Sequence, residues 1–370
     1  MKEKFSMKDA AFHKANISDL ASRIKGSYPS FNEREFLNEV FSSLSDLELK
    51  ERSALITQML IKYLPDSFEE ALTIILNSLP LENAENELTG YDGFIIMPLT
   101  SFVSCKGLDH FDLSTKALYE MTKRFTSEFD IRYFIQRYPQ KMLNLLESWT
   151  EDESLHVRRL VSEGTRPRLP WAFQLKEYRK DPSKVLALLT FLKDDSELYV
   201  RRSVANNLND ISKDNPTAVI ETLKSWQNGT SHMNWLTKHA LRTLIKEGNS
   251  EALSLLGYKQ SDSLDVKLTV TKKDLNLGES LELSAEIHSY EKESLPIMVD
   301  FIIWYKKANG TLMPKVFKLK KSSIKADENL VLNKKHKFAD FSTRKHYSGE
   351  HHVALQINGK MYEKVTFSLK

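Results

Sequence analysis

Apolar residues recur at a spacing of three and four positions over most of residues 8–258. Phe36, Val40 and Leu44 follow this period, and residues 55–64 repeat it. Such spacing places the apolar side chains on one face of a helix. Prolines fall between these segments, where helices start or stop. The pattern therefore predicts an all-α region built from many short helices.

An internal repeat is visible within this helical region. Residues 152–159 (Asp-Glu-Ser-Leu-His-Val-Arg-Arg) recur as residues 195–202 (Asp-Ser-Glu-Leu-Tyr-Val-Arg-Arg). Helix pairs that repeat every roughly 35–43 residues are typical of HEAT-like α-solenoids. The second helices of such a solenoid line its concave face, so we expect the arginines of both copies to point into one groove. Matching helices begin at Pro139, Pro182 and Pro216, and a weaker copy begins at Trp235.

From Ser263 the period of the apolar positions changes to two, which is typical of β-strands. About seven short strands in about 100 residues predict an immunoglobulin-like sandwich, here without the cysteine pair. Trp304 in mid-strand and Tyr347 near a late strand fit the core and corner residues of such a domain. The alternating positions include Val266, Leu268, Val270, Leu281, Leu283, Ile287, Val353, Leu355, Ile357, Val365, Phe367 and Leu369.

The two patterns together predict a multidomain chain, an all-α HEAT-like repeat solenoid followed by an all-β immunoglobulin-like sandwich. We place the helical domain at residues 1–258, a linker at 259–263 and the sandwich at 264–370. An apolar content of 41% in 370 residues is ample for a core in each domain.

The formal net charge of +3 hides an asymmetry between the two domains. Residues 263–370 hold 19 Lys and Arg against 13 Asp and Glu, whereas residues 1–262 hold 34 against 37. A basic sandwich suits a polyanionic partner, although lysine-rich faces also serve solubility alone. The lysines concerned are Lys315, Lys318, Lys320, Lys321, Lys334, Lys335 and Lys337.

Other chemistry is sparse. Cys105 is the only cysteine, so no internal disulfide can form and a reducing compartment is expected. The first residues lack the apolar core of a signal peptide, which predicts a cytoplasmic protein with no membrane association. We find no glycine-rich phosphate loop and no zinc-like spacing, and His351 and His352 would alternate faces on a strand. We therefore expect no cofactor and no metal.

Residues 156–171 are the most informative segment. They begin as a helix with two arginines, Arg158 and Arg159, and then break into a loop. Within nine residues that loop holds Glu163, two further arginines, two prolines and Trp171. A purely structural repeat does not need this combination. It suits a basic surface that grips phosphates and holds an anion and an aromatic face beside a positively charged group.

These segments resemble the AlkC family of bacterial DNA glycosylases, over nearly the whole chain. The most specific match is residues 162–171, Ser-Glu-Gly-Thr-Arg-Pro-Arg-Leu-Pro-Trp, which ordinary HEAT scaffolds lack. The family has HEAT-like repeats, and its longer branch adds a C-terminal immunoglobulin-like domain. The other matching segments are residues 20–24, 28–31, 93–103, 107–112 and 117–132.

The resemblance implies a monofunctional glycosylase of base excision repair. Its substrates would be cationic alkylated bases in double-stranded DNA, such as 3-methyladenine and 3-methylcytosine, attacked without base flipping as in the similar AlkD glycosylases. It implies catalytic roles for Glu128, Glu163, Asp210 and Trp171. We also expect a nucleoid-associated monomer with no obligate protein partner.

Each implied residue also has a structural interpretation. Asp210 could cap a helix, Glu163 could pair with an arginine of its own loop, and Glu128 could cap or pair on its own helix. Trp171 follows Pro170, and a tryptophan in that position usually lies in the core. We expect Trp149, Trp226 and Trp235 to be core residues. We expect Asp210 to be the principal electrostatic stabiliser and to orient the attacking water.

Five arginines are candidates for holding DNA phosphates, which would make binding strongly salt-dependent. They are Arg159, Arg166, Arg168, Arg201 and Arg202. Repeat arginines often pair instead with the acidic turn of the neighbouring repeat, and we expect this of at least one arginine in each Val-Arg-Arg pair. The alternative function is a non-catalytic HEAT-repeat scaffold that binds DNA or protein.

Overall fold

A computed structural model describes residues 6–80, 91–340 and 345–370. Helices occupy the first part of the chain and strands the last, as the two periodicities predict. No helix in the described ranges combines the length and apolarity needed to cross a bilayer. The helices are α1 (Met7–Ala11), α2 (Lys14–Ser27), α3 (Glu33–Ser43), α4 (Leu49–Tyr63), α5 (Phe68–Asn77), α6 (Met97–Lys106), α7 (Phe111–Thr122), α8 (Ile131–Arg137), α9 (Pro139–Ser148), α10 (Leu155–Gly164), α11 (Lys176–Lys180), α12 (Ser183–Leu192), α13 (Leu198–Ile211), α14 (Pro216–Trp226), α15 (Ser231–Ala240), α16 (Arg242–Glu247) and α17 (Ser250–Leu255).

Contacts between residues divide the chain into two compact units. The first comprises Met1–Asn215 with Ser231–Leu236, and the second comprises Pro216–Thr230 with Thr237–Lys370. The second unit therefore holds α14, α16 and α17 together with all the strands. The segment expected as a linker, residues 259–263, lies inside this second unit.

The repeat helices of the first unit follow the predicted boundaries. α9 begins at Pro139 and α12 begins just after Pro182. Proline suits these positions because the first helical residues have no intrahelical use for an N–H. The second helices of the two repeats, α10 and α13, pack against each other. Their apolar residues, including Val157, Leu160, Val204 and Leu208, are fully buried.

The strands form two sheets that enclose one apolar core. One sheet has the order β1-β3-β6; the other has the order β2-β9-β7-β4-β5, with β8 paired to β7. Seven of these strands have five or more residues, and the fold class predicted from the alternating pattern is confirmed. The strands are β1 (Leu264–Val270), β2 (Asp274–Leu275), β3 (Ser280–Ser289), β4 (Leu295–Lys306), β5 (Leu312–Ile324), β6 (Asn329–Lys337), β7 (Gly349–Ile357), β8 (Lys360–Met361) and β9 (Val365–Leu369).

One aromatic residue of the sandwich, Trp304, does not lie where we predicted. The core-facing rings of β4 are those of Phe301 and Tyr305. Trp304 faces the other side of the sheet and is half-buried beneath Lys364, whose Nζ lies 4.3 Å from the ring centroid. Because strand side chains alternate faces, a difference of one position moves a residue out of the core. Tyr347, expected at a corner, is 36% exposed.

A tight turn at Asn358 and Gly359 joins β7 to β8. Both residues have positive φ, 47° and 83°, as a two-residue type I′ hairpin requires. A Cβ at position 359 would lie 2.3 Å from the carbonyl oxygen of Gly248, so only glycine fits. The Asn358 amide accepts a hydrogen bond from the N–H of Met298 and donates to the carbonyl oxygens of Lys259 and Pro296.

Candidate active site

Three carboxylates lie in one ion-paired network in the first unit. Glu128 is in the turn before α8, Glu163 is in the last turn of α10, and Asp210 is in the last turn of α13. The three residues are 9%, 5% and 2% exposed, respectively. Two arginines connect them. Arg159 Nη1 lies 2.5 Å from Glu128 Oε2, and Arg166 bonds both other carboxylates.

The contacts of Arg166 place it between the second and third carboxylates. Its Nη1 donates to Glu163 Oε1 at 2.6 Å, and its Nε donates to Asp210 Oδ2 at 2.8 Å. Arg159 Nη2 lies 3.6 Å from the same Oε1 of Glu163, and Lys213 Nζ lies 2.9 Å from Asp210 Oδ1. The result is an alternating row of negative and positive groups, which we call the carboxylate network.

Hydroxyl groups complete the hydrogen bonding of two carboxylates. Ser203 donates to Glu163 Oε2 at 2.6 Å, and Thr126 donates to Glu128 Oε2 at 2.9 Å. Sequence reasoning did not identify these residues or Lys213, because an ordinary serine, threonine or lysine in a repeat carries no local signal of a distant partner.

The two arginines of the network keep the carboxyl group of Glu163 ionised. Burial disfavours the charged form of Glu163, but Arg159 and Arg166 outweigh that effect and hold the pKa of its carboxyl below the usual value. The pKa of Arg166 is correspondingly raised: burial opposes the charge, and the Glu163 and Asp210 carboxylates more than offset it. A buried charge persists only with such partners.

The structural interpretations of these carboxylates are partly realised. Glu163 does pair with Arg166, as its alternative interpretation required. Glu128 lies outside any helix and pairs with Arg159, 31 positions away, rather than on its own helix. Asp210 neither caps a helix start nor faces solvent, because it is buried within α13.

Trp171 differs from a core tryptophan in both exposure and backbone. Its residue is 53% exposed, whereas Trp149 and Trp226 are buried and Trp235 is partly buried. Its φ is +67°, a left-handed conformation that is uncommon for a bulky residue. Lys50 Nζ donates to its carbonyl oxygen at 2.9 Å. An indole held in this conformation at the surface points to a role other than packing.

The five arginines proposed to hold phosphates have different surroundings. Arg159 and Arg166 belong to the carboxylate network, and Arg168 forms two hydrogen bonds to Asp214. Arg201 is buried and donates to the carbonyl oxygens of Asp195 and Ser196, whereas Arg202 is exposed. Arg158 pairs with Asp195 at 2.6 Å, in the acidic turn of the next repeat.

Arg132 is a further residue that sequence reasoning did not assign to the site. It is completely buried in α8 and donates hydrogen bonds to carbonyl oxygens of the loop after α10. Burial lowers its pKa to about 10. Its spacing of four from Glu128 suggests a local pair, but the turn before α8 directs Glu128 to Arg159 instead.

The remaining candidates do not add chemistry to the site. Within the described ranges, no cluster of three or more His, Cys, Asp or Glu could hold a metal. Cys105 is an exposed residue whose thiol is nevertheless partly buried, and this burial raises the pKa of the thiol. A nucleophilic cysteine needs a lowered pKa instead.

Comparisons with known proteins agree with this architecture. The family model described as "DNA alkylation repair enzyme" matches residues 123–244, and that described as "Uncharacterised protein YhaZ, C-terminal Ig-like domain" matches residues 265–370. The Bacillus subtilis (strain 168) protein YhaZ is 39% identical over 355 residues, which cover 95% of this chain and 96% of that protein.

A solved structure extends the likeness to the fold of nearly the whole chain. The Pseudomonas fluorescens alkylpurine DNA glycosylase AlkC, bound to DNA containing an abasic site analog, is 35% identical, with a TM-score of 0.87. The match covers 99% of this chain and 100% of that one. The chain therefore belongs to the AlkC family of bacterial DNA alkylation-repair glycosylases, in the branch with a C-terminal immunoglobulin-like domain.

Proposed function

We propose that this protein hydrolyses the N-glycosidic bond of cationic alkylated bases in double-stranded DNA, with 3-methyladenine and 3-methylcytosine as substrates. The observation that carries the proposal is the carboxylate network. Three buried acidic side chains from different segments of the first unit are joined through two arginines. An isolated ion pair such as that of Arg158 with Asp195 can serve the fold alone. A scaffold that only binds DNA gains nothing from three acidic side chains gathered beside its phosphate-binding arginines, because negative charge repels phosphates.

The chemistry needs little beyond such charge. Methylation at N3 leaves the base positively charged, so the electron pair of the breaking bond neutralises it and no general acid is required. The deoxyribose becomes oxocarbenium-like, water attacks C1′, and the proton that this water loses passes to the solvent. Carboxylates fixed in advance near the sugar stabilise that cation more than the ground state.

Asp210 stabilises the sugar cation and orients the water, Glu163 adds negative charge, and Glu128 holds Arg159 in place and contributes to the same field. The paired cations do not cancel the electrostatic stabilisation of the sugar cation, because each cation occupies one defined position beside its carboxylate. Arg159 and Arg166 also keep the Glu163 carboxylate ionised although it is buried.

Trp171 supplies a flat, weakly negative face to the sugar or the cationic base. Such a contact is worth roughly 0.5–2 kcal/mol. The indole lies on an exposed loop. This exposure supports the further proposal that the damaged base is not drawn into an enclosed pocket, in contrast to most enzymes that act on a base.

Phosphate binding falls first to the exposed Arg202 and the partly exposed Arg159 and Arg168. We propose weaker roles for Arg166 and Arg201, whose guanidinium groups are buried and already bonded within the protein. The lysines of the sandwich add a second basic surface for the same polyanion.

The test is release of free bases from methylated duplex DNA under single-turnover conditions, with 3-methyladenine and 3-methylcytosine separated chromatographically. We expect both bases to be released, an intact strand with an abasic site to remain, and no strand cleavage. DNA binding without release of either base would refute the proposal and favour the scaffold.

A further inference from the structure

Residues 128–132 connect the carboxylate network to helix α6 and to the loop that follows α10. Glu128, Asp130 and Arg132 each contact a different one of these three parts. The Glu128 side chain enters the carboxylate network. Asp130 is buried and accepts hydrogen bonds from the hydroxyls of Thr100 and Ser104 at 2.7 Å each, which anchor the turn to α6. Arg132 bonds the loop that follows α10.

Arg132 bonds both ends of that loop. Its Nη1 donates to the carbonyl oxygens of Gly164 at 2.9 Å and Arg166 at 2.7 Å, and its Nη2 donates to that of Phe173 at 2.5 Å. Its guanidinium carbon lies 5.4 Å from the centroid of the Phe173 ring. Within the described residues its Nε has no hydrogen-bond partner, so the side chain is committed to backbone carbonyls.

The loop is also seated closely on α8 at its start. A Cβ at position 164 would lie 2.8 Å from Cγ2 of Ile131, so a side chain there would push the loop away from α8. Between these anchors the loop carries Arg166, which bonds Glu163 and Asp210, and Trp171 with its positive φ. Lys50 Nζ donates a further hydrogen bond to the carbonyl oxygen of Trp171.

We infer that Arg132 is a positioning residue for excision: its guanidinium clamps residues 164–173 so that Arg166 and the Trp171 indole are presented together. The planar guanidinium group of arginine has N–H donors on separate nitrogens and can therefore reach three carbonyl oxygens in different directions. The single nitrogen of a lysine ammonium group cannot reproduce this arrangement. The inference rests on the proposed function for its effect on rate, but the clamp itself can be observed without any substrate.

The test compares Arg132→Lys with Arg137→Lys, a control on the same helix whose side chain is 59% exposed. Both full-length proteins are labelled with 5-fluorotryptophan, which places a fluorine on each of the five tryptophans. The Trp171 signal is assigned with Trp171→Phe. We expect Arg132→Lys to shift or broaden the Trp171 signal alone, and Arg137→Lys to leave all five unchanged.

The same proteins are then assayed for single-turnover excision and for affinity to undamaged duplex DNA. We expect Arg132→Lys to slow excision at least tenfold while changing the affinity for undamaged DNA less than threefold. If Arg132 only stabilised the fold, the substitution would lower the melting temperature without slowing excision more than it weakens DNA binding. Gly164→Ala, which displaces the loop with Arg132 intact, should give the same signature if Arg132→Lys folds poorly.

An unchanged Trp171 signal in folded Arg132→Lys or Gly164→Ala would overturn the inference whatever the rates. A changed signal with a wild-type rate would also overturn it, since the clamp would then have no role in excision. If the wild type releases no alkylated base, the proposed function fails, and the Trp171 signal still decides whether Arg132 holds the loop.

Discussion

Replacing Asp210 by asparagine is the most direct test of electrostatic catalysis in this protein. The carboxylate is 2% exposed and accepts hydrogen bonds from Arg166 Nε at 2.8 Å and Lys213 Nζ at 2.9 Å. An asparagine has the same shape but one acceptor oxygen, so it keeps one of these bonds and points an N–H group toward the other donor. The charge of the site becomes more positive by one unit.

The expected loss in rate follows from that unit of charge. At about 4 Å and an effective dielectric constant of about 20, one charge pair is worth roughly 4 kcal/mol. This corresponds to roughly a thousandfold in rate. The ion pairs do not protect against the change, because Arg166 and Lys213 remain and are now less compensated. We therefore expect single-turnover release of 3-methyladenine to fall roughly 100- to 1000-fold.

The matched control is Asp195→Asn, which likewise breaks a buried ion pair between an aspartate and an arginine. Asp195 is 5% exposed in its side chain and bonds Arg158 at 2.6 Å, but it lies outside the carboxylate network. Both substitutions should lower stability, by up to about 3–5 kcal/mol, which urea denaturation measures. Only Asp210→Asn should slow excision beyond a few-fold. Equal rates for the two folded variants would refute the electrostatic argument.

Three further predictions address the indole, the network and the sandwich. Trp171→Gly should be about 1 kcal/mol more stable to urea than Trp171→Ala, because glycine adopts the positive φ of this position without strain. Equal stability of the two variants would contradict the backbone strain. Both variants should bind DNA that contains an abasic analogue roughly 2- to 30-fold more weakly than the wild type. Glu163 stays charged at and above its unfolded pKa of about 4.3, so excision should be flat from about pH 5.5 to 8, and an acidic limb near pH 6 would exclude a depressed pKa. Burial raises the pKa of Asp300 to about 6, so the folded state binds the extra proton and stability falls as pH rises from about 4 to about 6. Asp300→Asn should therefore stabilise the sandwich by up to about 3 kcal/mol at pH 7.5 and hardly at all at pH 4, whereas the exposed Asp265→Asn should have no effect at either pH.

The elements of the fold could be predicted from the sequence because their signals are local. Proline at the start of α9 and apolar residues at helical spacing are read within one turn, and alternation identified the seven longer strands. Which aromatic residue faces the core depends on the register of the sheet. We predicted that Trp304 faces the core, but its neighbour Tyr305 does so, which shows that a shift of one position decides which ring is buried.

The site was harder to predict from the residues alone. Glu128 and Arg159 are 31 positions apart, and Arg166 and Asp210 are 44 apart. No periodicity connects residues at such distances. The carboxylates were identified through the resemblance to a family, and their partners became evident only in the structure.

The two Val-Arg-Arg triplets illustrate the same limit. In the first copy, Arg158 bonds Asp195 and Arg159 bonds Glu128. In the second copy, Arg201 is buried against backbone carbonyls and Arg202 is exposed. The four arginines of two identical triplets therefore have four different environments. Each environment depends on the segment that packs against that arginine.

The hydrogen bonds of Asn358 bear on how the strand-rich part can be produced as a recombinant fragment. Its amide group binds the carbonyl oxygen of Lys259, and Lys360 pairs with Asp262. A fragment that begins at residue 264 would leave the asparagine with an unsatisfied donor and Gly359 without its helical neighbour. Choosing Pro216 as the first residue retains these tethers, and such a fragment should express and crystallise more readily than the bare sandwich.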